Sequence, residues 1–306
     1  MNRRPMKRKA LDDRQMDRNL APEGNEVAPL RVNFTKMHGL GNDFMVIDQI
    51  SHPVALSPAQ IRQLGNRHRG VGFDQLLIIA PPSRPDADFS YRIFNADGSE
   101  VEHCGNGARC FARYVLARGL AARSPIRVQT QNRLLELHAD HNDQVSVDMG
   151  EPDFAPTSLP FSADTQQPRY QLATSEHGTA EFQAVSMGNP HIVLTVADCD
   201  AAPVHTLGPA LCTHPAFPQG VNVGFMQILD RDTIRLRVFE RGAGETEACG
   251  TGACAAVVCG IAAGQLNSRV RALLSGGELT VEWAGAGAPV IMTGPATTVF
   301  EGTVLI

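Results

Sequence analysis

Lysine is nearly absent from this sequence. Only Lys7, Lys9 and Lys36 occur in 306 residues, and none sits in a recognisable Schiff-base motif. Pyridoxal phosphate needs such a lysine, so it is not expected, and no other cofactor is indicated. Aromatic residues make up only 6% of the chain, too few for base-stacking platforms, and the net charge is a mildly acidic −5 where a basic balance would be expected. Both absences argue against a nucleic-acid partner. There are seven cysteines but no C-x-x-C pair, which speaks against zinc ribbons and thioredoxin-like motifs; no metal site is expected. No stretch approaches the roughly 20 apolar residues of a membrane span, and the N-terminus lacks the apolar core of a secretory signal. A chain of this size needs no disulfide staples. The expectation is a cytoplasmic protein with reduced thiols and no membrane contact.

What the chain does contain is a duplication. Phe94-Asn95-Ala96-Asp97-Gly98-Ser99-Glu100-Val101-Glu102-His103-Cys104-Gly105-Asn106-Gly107-Ala108 returns as Phe239-Glu240-Arg241-Gly242-Ala243-Gly244-Glu245-Thr246-Glu247-Ala248-Cys249-Gly250-Thr251-Gly252-Ala253, and 249 − 104 and 239 − 94 both give 145. Upstream, Gly41-Asn42-Asp43-Phe44 has a counterpart in Gly188-Asn189-Pro190-His191, and Gly70-Val71-Gly72-Phe73 a looser one around Gly220-Val221 and Gly224-Phe225. A repeat this long is a duplicated domain rather than a solenoid unit. At roughly 150 residues per domain the length also suggests two domains.

Residues 1–30 begin with Arg3, Arg4, Lys7, Arg8 and Lys9 and read as a disordered or extended tail, with a basic contact arm as the alternative. Strands are expected over 32–36, 44–48, 75–80 and 89–94, with a helix from Ser57 to about Asn66 whose Ser57-Pro58-Ala59-Gln60 start forms a capping box. Cys104 should open a helix of about 14 residues that ends at Gly119. Alternation from Ile126 to Met149 signals antiparallel strands. The segment 150–167, rich in Pro, Ser, Thr and Asp, reads as the linker. Strands near 182–187, 191–196, 221–228 and 233–239 follow, then a helix from Thr251 to about Ala263, and a hairpin over 273–281 turning at Gly276-Gly277. The last strand, 298–306, is expected to cross back to the first domain. The fold class is α+β, two pseudo-symmetric domains of mainly antiparallel sheet, each around a central helix, with the active site in the cleft between them. The boundaries expected are 31–149 with 295–306 for one domain and 150–294 for the other.

A thiol at a helix start meets unpaired N–H groups and the positive end of the helix dipole, which should lower its pKa. The adjacent glycines let a carboxylate reach the same N–H groups. Cys104 and Cys249 therefore each combine a base with an anion cradle. Gly250-Thr251-Gly252-Ala253-Cys254-Ala255 also fits a dinucleotide fingerprint, but a polar loop precedes it where a buried parallel strand is required. Asn42, Asn95, Asn189, Asn222, Glu240 and Arg241 stand at corresponding loop tips of the two halves, with Gln75 nearby. Amides, one carboxylate and one guanidinium suit a zwitterionic amino acid. His191 or His103 can tune a thiol. Inverting an α-carbon needs a proton removed from one face and another delivered to the opposite face, and two thiols across a cleft meet that need.

The runs Asn95-Ala96-Asp97-Gly98-Ser99 and Cys104-Gly105-Asn106-Gly107-Ala108-Arg109, with Phe34 to Phe44, Gly188-Asn189-Pro190-His191, Glu240-Arg241 and Cys249-Gly250-Thr251-Gly252, resemble the diaminopimelate epimerase family from about residue 31 onward. The resemblance implies a cofactor-independent isomerase acting on LL- and meso-diaminopimelate in lysine and peptidoglycan synthesis. It implies Cys104 and Cys249 as the acid/base pair. Backbone N–H groups of Gly105, Asn106, Gly250 and Thr251 would hold the reacting carboxylate. Asn42, Gln75, Asn95, Asn189, Asn222, Glu240 and Arg241 would bind the rest of a diamino-dicarboxylate, and His191 and Glu240 would tune the thiols. A homodimer is implied too, although Phe300 stands where relatives often carry tyrosine near the dimer contact. A proline or hydroxyproline racemase resembles the same fold, and a non-catalytic thiol-sensing protein is the alternative of a different class.

Overall fold

A computed structural model describes residues 29–101, 105–122, 124–131, 134–140 and 144–306. The tail through residue 28, His103 and Cys104 lie outside the described residues; Leu30 already pairs with Ile306 through two backbone hydrogen bonds. The first half comprises β1 (Arg31–Gly39), β2 (Asn42–Asp48), α1 (Pro58–Gly65), β3 (Gln75–Ala80), β4 (Phe89–Asn95), β5 (Glu100–Val101), α2 (Gly105–Ala117), β6 (Ile126–Gln129), β7 (Leu134–Ala139) and β8 (Gln144–Asp148). The second comprises β9 (Tyr170–Thr174), β10 (Gly178–Ser186), β11 (Pro190–Thr195), α3 (Val204–Cys212), β12 (Asn222–Asp230), β13 (Thr233–Glu240), β14 (Gly244–Thr246), α4 (Gly250–Ala262), β15 (Arg269–Leu274), β16 (Gly277–Trp283), β17 (Val290–Pro295) and β18 (Thr297–Leu305).

Strand pairing runs β18–β1–β2–β3–β4–β6–β7–β8–β17–β16–β15–β13–β12–β11–β10–β9, with β5 on β4 and β14 on β13. This order reads the same from either end around the β8–β17 seam. Parallel pairs recur at equivalent places, β2–β3 with β11–β12 and β4–β6 with β13–β15, in an otherwise antiparallel sheet. The registers repeat as well. Phe44 opposes Gln75 as His191 opposes Asn222, and Ile93 opposes Val101 as Val238 opposes Thr246. The duplication is thus carried to the level of individual residue pairs.

The central helices α2 and α4 are the 13-residue counterparts of the repeat. α4 is buried along most of its length and apolar nearly all round, as a helix enclosed by sheet must be. Phe111 and Val115 of α2 and Ala253 to Cys259 of α4 belong to one continuous core. Each half adds an outer core, under α1 around Ile61, Leu64 and Leu76, and under α3 around Leu207, Leu211 and Phe225. α1 starts with the capping box expected of Ser57 and Gln60.

Several expectations need correction. The segment 150–167 is no free linker: Asp153 bridges to Ser186, Pro156–Ser158 form a 3-10 turn, and Leu159 and Phe161 fill the core under α3. The hairpin turns at Ser275-Gly276, one residue earlier than expected, because Leu274 pairs with Gly277. α3, β9 and β17 were not expected from the sequence. α3 contains Gly208 and Pro209, ordinarily helix breakers, but a Cβ at Gly208 would stand 2.9 Å from Phe239, so packing selects glycine there. β9 is short, and β17 ends in Gly-Pro, which hides its strand pattern.

Candidate active site

The starts of α2 and α4 meet. A Cβ on Gly105 would stand 2.8 Å from Met292 Cε and 3.1 Å from Met149 Cε, and one on Gly250 would stand 3.1 Å from Met292 Sδ and 3.3 Å from Asn106 Oδ1. Both motif glycines thus stand where a side chain would crowd its neighbours, with two methionines walling the gap between the helices. Asn106 Nδ2 crosses this gap and donates to the Ala248 carbonyl at 3.1 Å, directly before Cys249, and to Asn42 Oδ1 at 3.2 Å. Asn106 is 4% exposed, and its Oδ1 has no hydrogen-bond partner among the described residues.

Cys249 caps α4: its Sγ accepts from Gly252 N–H at 3.3 Å and lies 3.6 Å from Thr251 Oγ1. A helix start alone should make the thiol more acidic. Here burial, followed by the nearby Glu240 charge, pushes it well above its ordinary value, against the pull of Thr251 and the Gly252 N–H. The expectation of an acidified thiol is thus overturned for Cys249. Its resting form is the thiol, because desolvation outweighs the helix dipole. Burial also raises Glu240, whose carboxylate accepts from Thr246 Oγ1 and from the Cys249 thiol.

Around Cys249 the second half assembles a polar chain. Asn189 Nδ2 donates to Thr251 Oγ1 at 3.3 Å, and Asn189 Oδ1 lies 3.0 Å from His191 Nε2. That leaves the Asn189 oxygen as acceptor, so His191 carries its proton on Nε2. Burial, with Arg241 nearby, pushes the His191 imidazole down to about 3, so it is neutral. Asn222 sits in register with His191, donates to Pro190 O at 3.2 Å and accepts from Arg241 N–H at 2.9 Å. The Arg241 guanidinium donates to Gln219 O at 2.7 Å.

In the first half, Gln75 and Asn95 are in register on β3 and β4, and their side chains pair at 3.1 Å. Asn42 Nδ2 donates to Asp74 Oδ2 at 3.0 Å. The structure thus gathers Asn42, Asn106, Gly105, Gly250, Thr251, Asn189, His191, Asn222, Glu240, Arg241 and Cys249 around the meeting of two helix starts. Gln75 and Asn95 pair within their own half, and Cys104 lies outside the described residues. Sequence reasoning missed Asp74, Met149 and Met292. Asp74 was legible as a carboxylate beside Gln75; Met292 lies on β17, which carried no clear strand signal. α4 follows β14, a three-residue strand antiparallel to β13, which is not the buried parallel strand of a dinucleotide site.

A family model described as diaminopimelate epimerase matches residues 34–155 and 183–299. The chain belongs to the diaminopimelate epimerase family. It is 58% identical over 273 residues to the diaminopimelate epimerase of Ectopseudomonas mendocina, covering 89% of this chain and 99% of that one. The corresponding protein of Chromobacterium violaceum is 57% identical over 275 residues, covering 90% and 99%. Among solved structures, a hydroxyproline epimerase from Agrobacterium vitis superposes with a TM-score of 0.67 at 18% identity, over 90% of this chain and 93% of that one. A phenazine biosynthesis protein from Bacillus anthracis gives 0.65 at 16% identity, over 90% and 100%. At such identities these two share the fold alone. Family membership makes the chain an isomerase of the duplicated, two-domain α+β type. No helix among the described residues is long and apolar enough to cross a membrane.

Proposed function

We propose that this chain interconverts LL- and meso-diaminopimelate, in lysine and peptidoglycan synthesis, by a two-thiol proton transfer that uses no cofactor. The observation that carries the reading is the junction of the two repeats, where Asn106 of one Cys-Gly-x-Gly motif bonds the Ala248 carbonyl beside the cysteine of the other. Cys249, held as a thiol by burial and Glu240, donates a proton to one face of the α-carbon. Cys104, the chain neighbour of Gly105, removes the proton from the other face as thiolate, and the two exchange roles in the reverse direction. N–H groups of Gly105, Asn106, Gly250 and Thr251 hold the reacting carboxylate and stabilise the developing carbanion charge. Glu240 and Arg241, with Asn42, Gln75, Asn95, Asn189 and Asn222, bind the remaining ammonium and carboxylate groups, and neutral His191 fixes Asn189. The enzyme works as a cytoplasmic homodimer. Its catalytic cleft lies between a domain of residues 31–149 with 295–306 and a domain of residues 150–294.

Early turnover in D₂O tests this. The product should carry deuterium at the inverted centre while residual substrate carries almost none, starting from either epimer. Mass spectrometry of both epimers at low conversion reads it. Equal early labelling of substrate and product points to a single base and defeats the two-thiol reading. A parallel assay with L-proline and trans-4-hydroxy-L-proline separates the racemase alternative, and inertness toward all these substrates leaves the thiol-sensing one.

A further inference from the structure

One carboxylate outside the residues assigned above stands at the head of a hydrogen-bond series that joins the two halves. Asp74 precedes β3, and both of its oxygens receive donors: Oδ1 from Arg67 Nη2 at 2.7 Å, Oδ2 from Asn42 Nδ2 at 3.0 Å and from Asp43 N–H at 3.1 Å. Arg67 also grips both oxygens of Asp43, at 2.8 and 2.9 Å, and Asp43 in turn pairs with Lys36 at 2.5 Å. An ionised carboxylate only accepts, so Asn42 must turn its NH₂ group toward Asp74. The Asn42 oxygen then faces Asn106, which must answer with its own NH₂ group. The second hydrogen of that group goes to the Ala248 carbonyl. The Asn106 oxygen is left beside Gly250, at the start of α4. The amide orientations in this series agree with the Asp74 charge at one end and with the Ala248 carbonyl at the other.

We infer that Asp74, pinned by Arg67, is a positioning residue: it sets the amides of Asn42 and Asn106 and so ties the first half to the backbone that carries Cys249. The inference rests on the reaction proposed above only for its kinetic readout. Asp74→Asn keeps shape and size, yet in either orientation it sets an NH₂ group against existing donors, from Arg67 on one side or from Asn42 and Asp43 on the other. The series then loses its direction.

The test compares wild type, Asp74→Asn and Asp74→Asn/Asn42→Asp on the full chain. The second change restores an acceptor opposite the new donor on the side of residue 42, while the Asp43 N–H still faces it, so the rescue is partial. It also keeps the hydrogen bond from Asn106, because a carboxylate at position 42 accepts from that NH₂ group as the amide oxygen did. With diaminopimelate, Asp74→Asn should lower kcat by about tenfold, with KM rising as well because Asn42 lies in the binding set. Iodoacetamide labelling of Cys249, which is 4% exposed, should speed up by about fivefold, followed by peptide mass spectrometry. It should return toward the wild-type rate in the double variant. Should Asp74→Asn fail to fold, Arg67→Gln, on a half-exposed side chain, should change labelling in the same direction. A loss confined to KM, or unaltered Cys249 labelling in both single variants, would overturn the inference. If wild type does not turn over diaminopimelate, the proposed reaction falls, while the labelling comparison still decides the role of Asp74.

Discussion

The starts of α2 and α4 are the same motif solved twice with different chemistry. Asn42 and Asn189 are equivalent, and each has its amide held at both ends. In the first half a charged acceptor, Asp74, takes the NH₂ group. In the second half a neutral histidine donates to the oxygen. Asn106 reaches across to the other half, whereas its equivalent, Thr251, stays with Cys249 and Asn189 in its own. Asn95 is matched by Glu240, which brings a carboxylate beside the Cys249 thiol. Further along the helices, Arg109 corresponds to Cys254, since 254 − 109 = 145. Both are fully buried, and the Arg109 charge acts on the Cys254 thiol. Two arginines at this near-symmetric meeting would repel, so one large cation faces one small thiol. A duplicated frame supplies equivalent places, and the side chains that fill them differ.

The widest test of that equivalence removes the thiols. Cys104→Ala and Cys249→Ala should each lower kcat by about 10³-fold or more, because either loss breaks the same proton relay. If one variant keeps a tenth of wild-type turnover in both directions, the two positions are not partners.

The Arg109–Cys254 pair should be unequal in stability. Arg109 is buried, donates to Pro295 O at 3.1 Å and lies 3.8 Å from Met292 Sδ. Arg109→Ala should cost about 3–5 kcal/mol, from a cavity and stranded acceptors. Cys254→Ala should cost about 1 kcal/mol. Urea unfolding measures both, and equal costs would mean that the cation is not what the core is built around.

The comparison also marks what could be read before the structure. The repeat, both central helices, the capping box and the gathering of most polar site residues were legible, because they rest on motif spacing and on strand and turn patterns that local chemistry imposes. The state of Cys249 was not legible. A helix start speaks for a thiolate, and burial, followed by the Glu240 charge, reverses it. Nor was the packing of 150–167: its polar composition reads as linker, while Leu159 and Phe161 decide its fate. α3 stayed hidden because Gly208 answers to a neighbour, Phe239, rather than to helix propensity, and Pro209 ordinarily breaks a helix.

Glu240→Gln makes the second half resemble the first, where Asn95 stands. Burial comes first in raising the Cys249 thiol, and the Glu240 charge second. Removing that charge should shift the pH profile of Cys249 alkylation toward lower pH, while burial keeps it above that of an ordinary thiol. A profile that stays in place would show that Glu240 is neutral when Cys249 ionises.

The smallest expected effect concerns acid. Asp43 and Pro190 are equivalent positions, 190 − 43 = 147, the same offset that relates Asn42 to Asn189. Only the first half therefore has a carboxylate there. Burial alone would raise Asp43, but hydrogen bonds from Arg67 and Lys36, with the Lys36 charge, outweigh it and hold the group below the usual carboxylate range. The sign follows from linkage. A carboxyl depressed in the folded state adds stability that is complete above its unfolded pKa of about 3.9 and fades as pH falls through the folded value. Because Arg67 is half exposed, solvent screening limits the contribution to about 1 kcal/mol. Hydrogen exchange should therefore show β2 and β3 losing protection between about pH 4 and pH 2, while β11 and β12, whose corresponding corner has no charge to lose, hold theirs longer. Asp43→Asn should weaken protection of β2 and β3 at neutral pH and flatten their acid response. If both halves open together in wild type, the Arg67–Asp43–Lys36 cluster adds nothing local, and the acid sensitivity belongs to the shared core around α2 and α4.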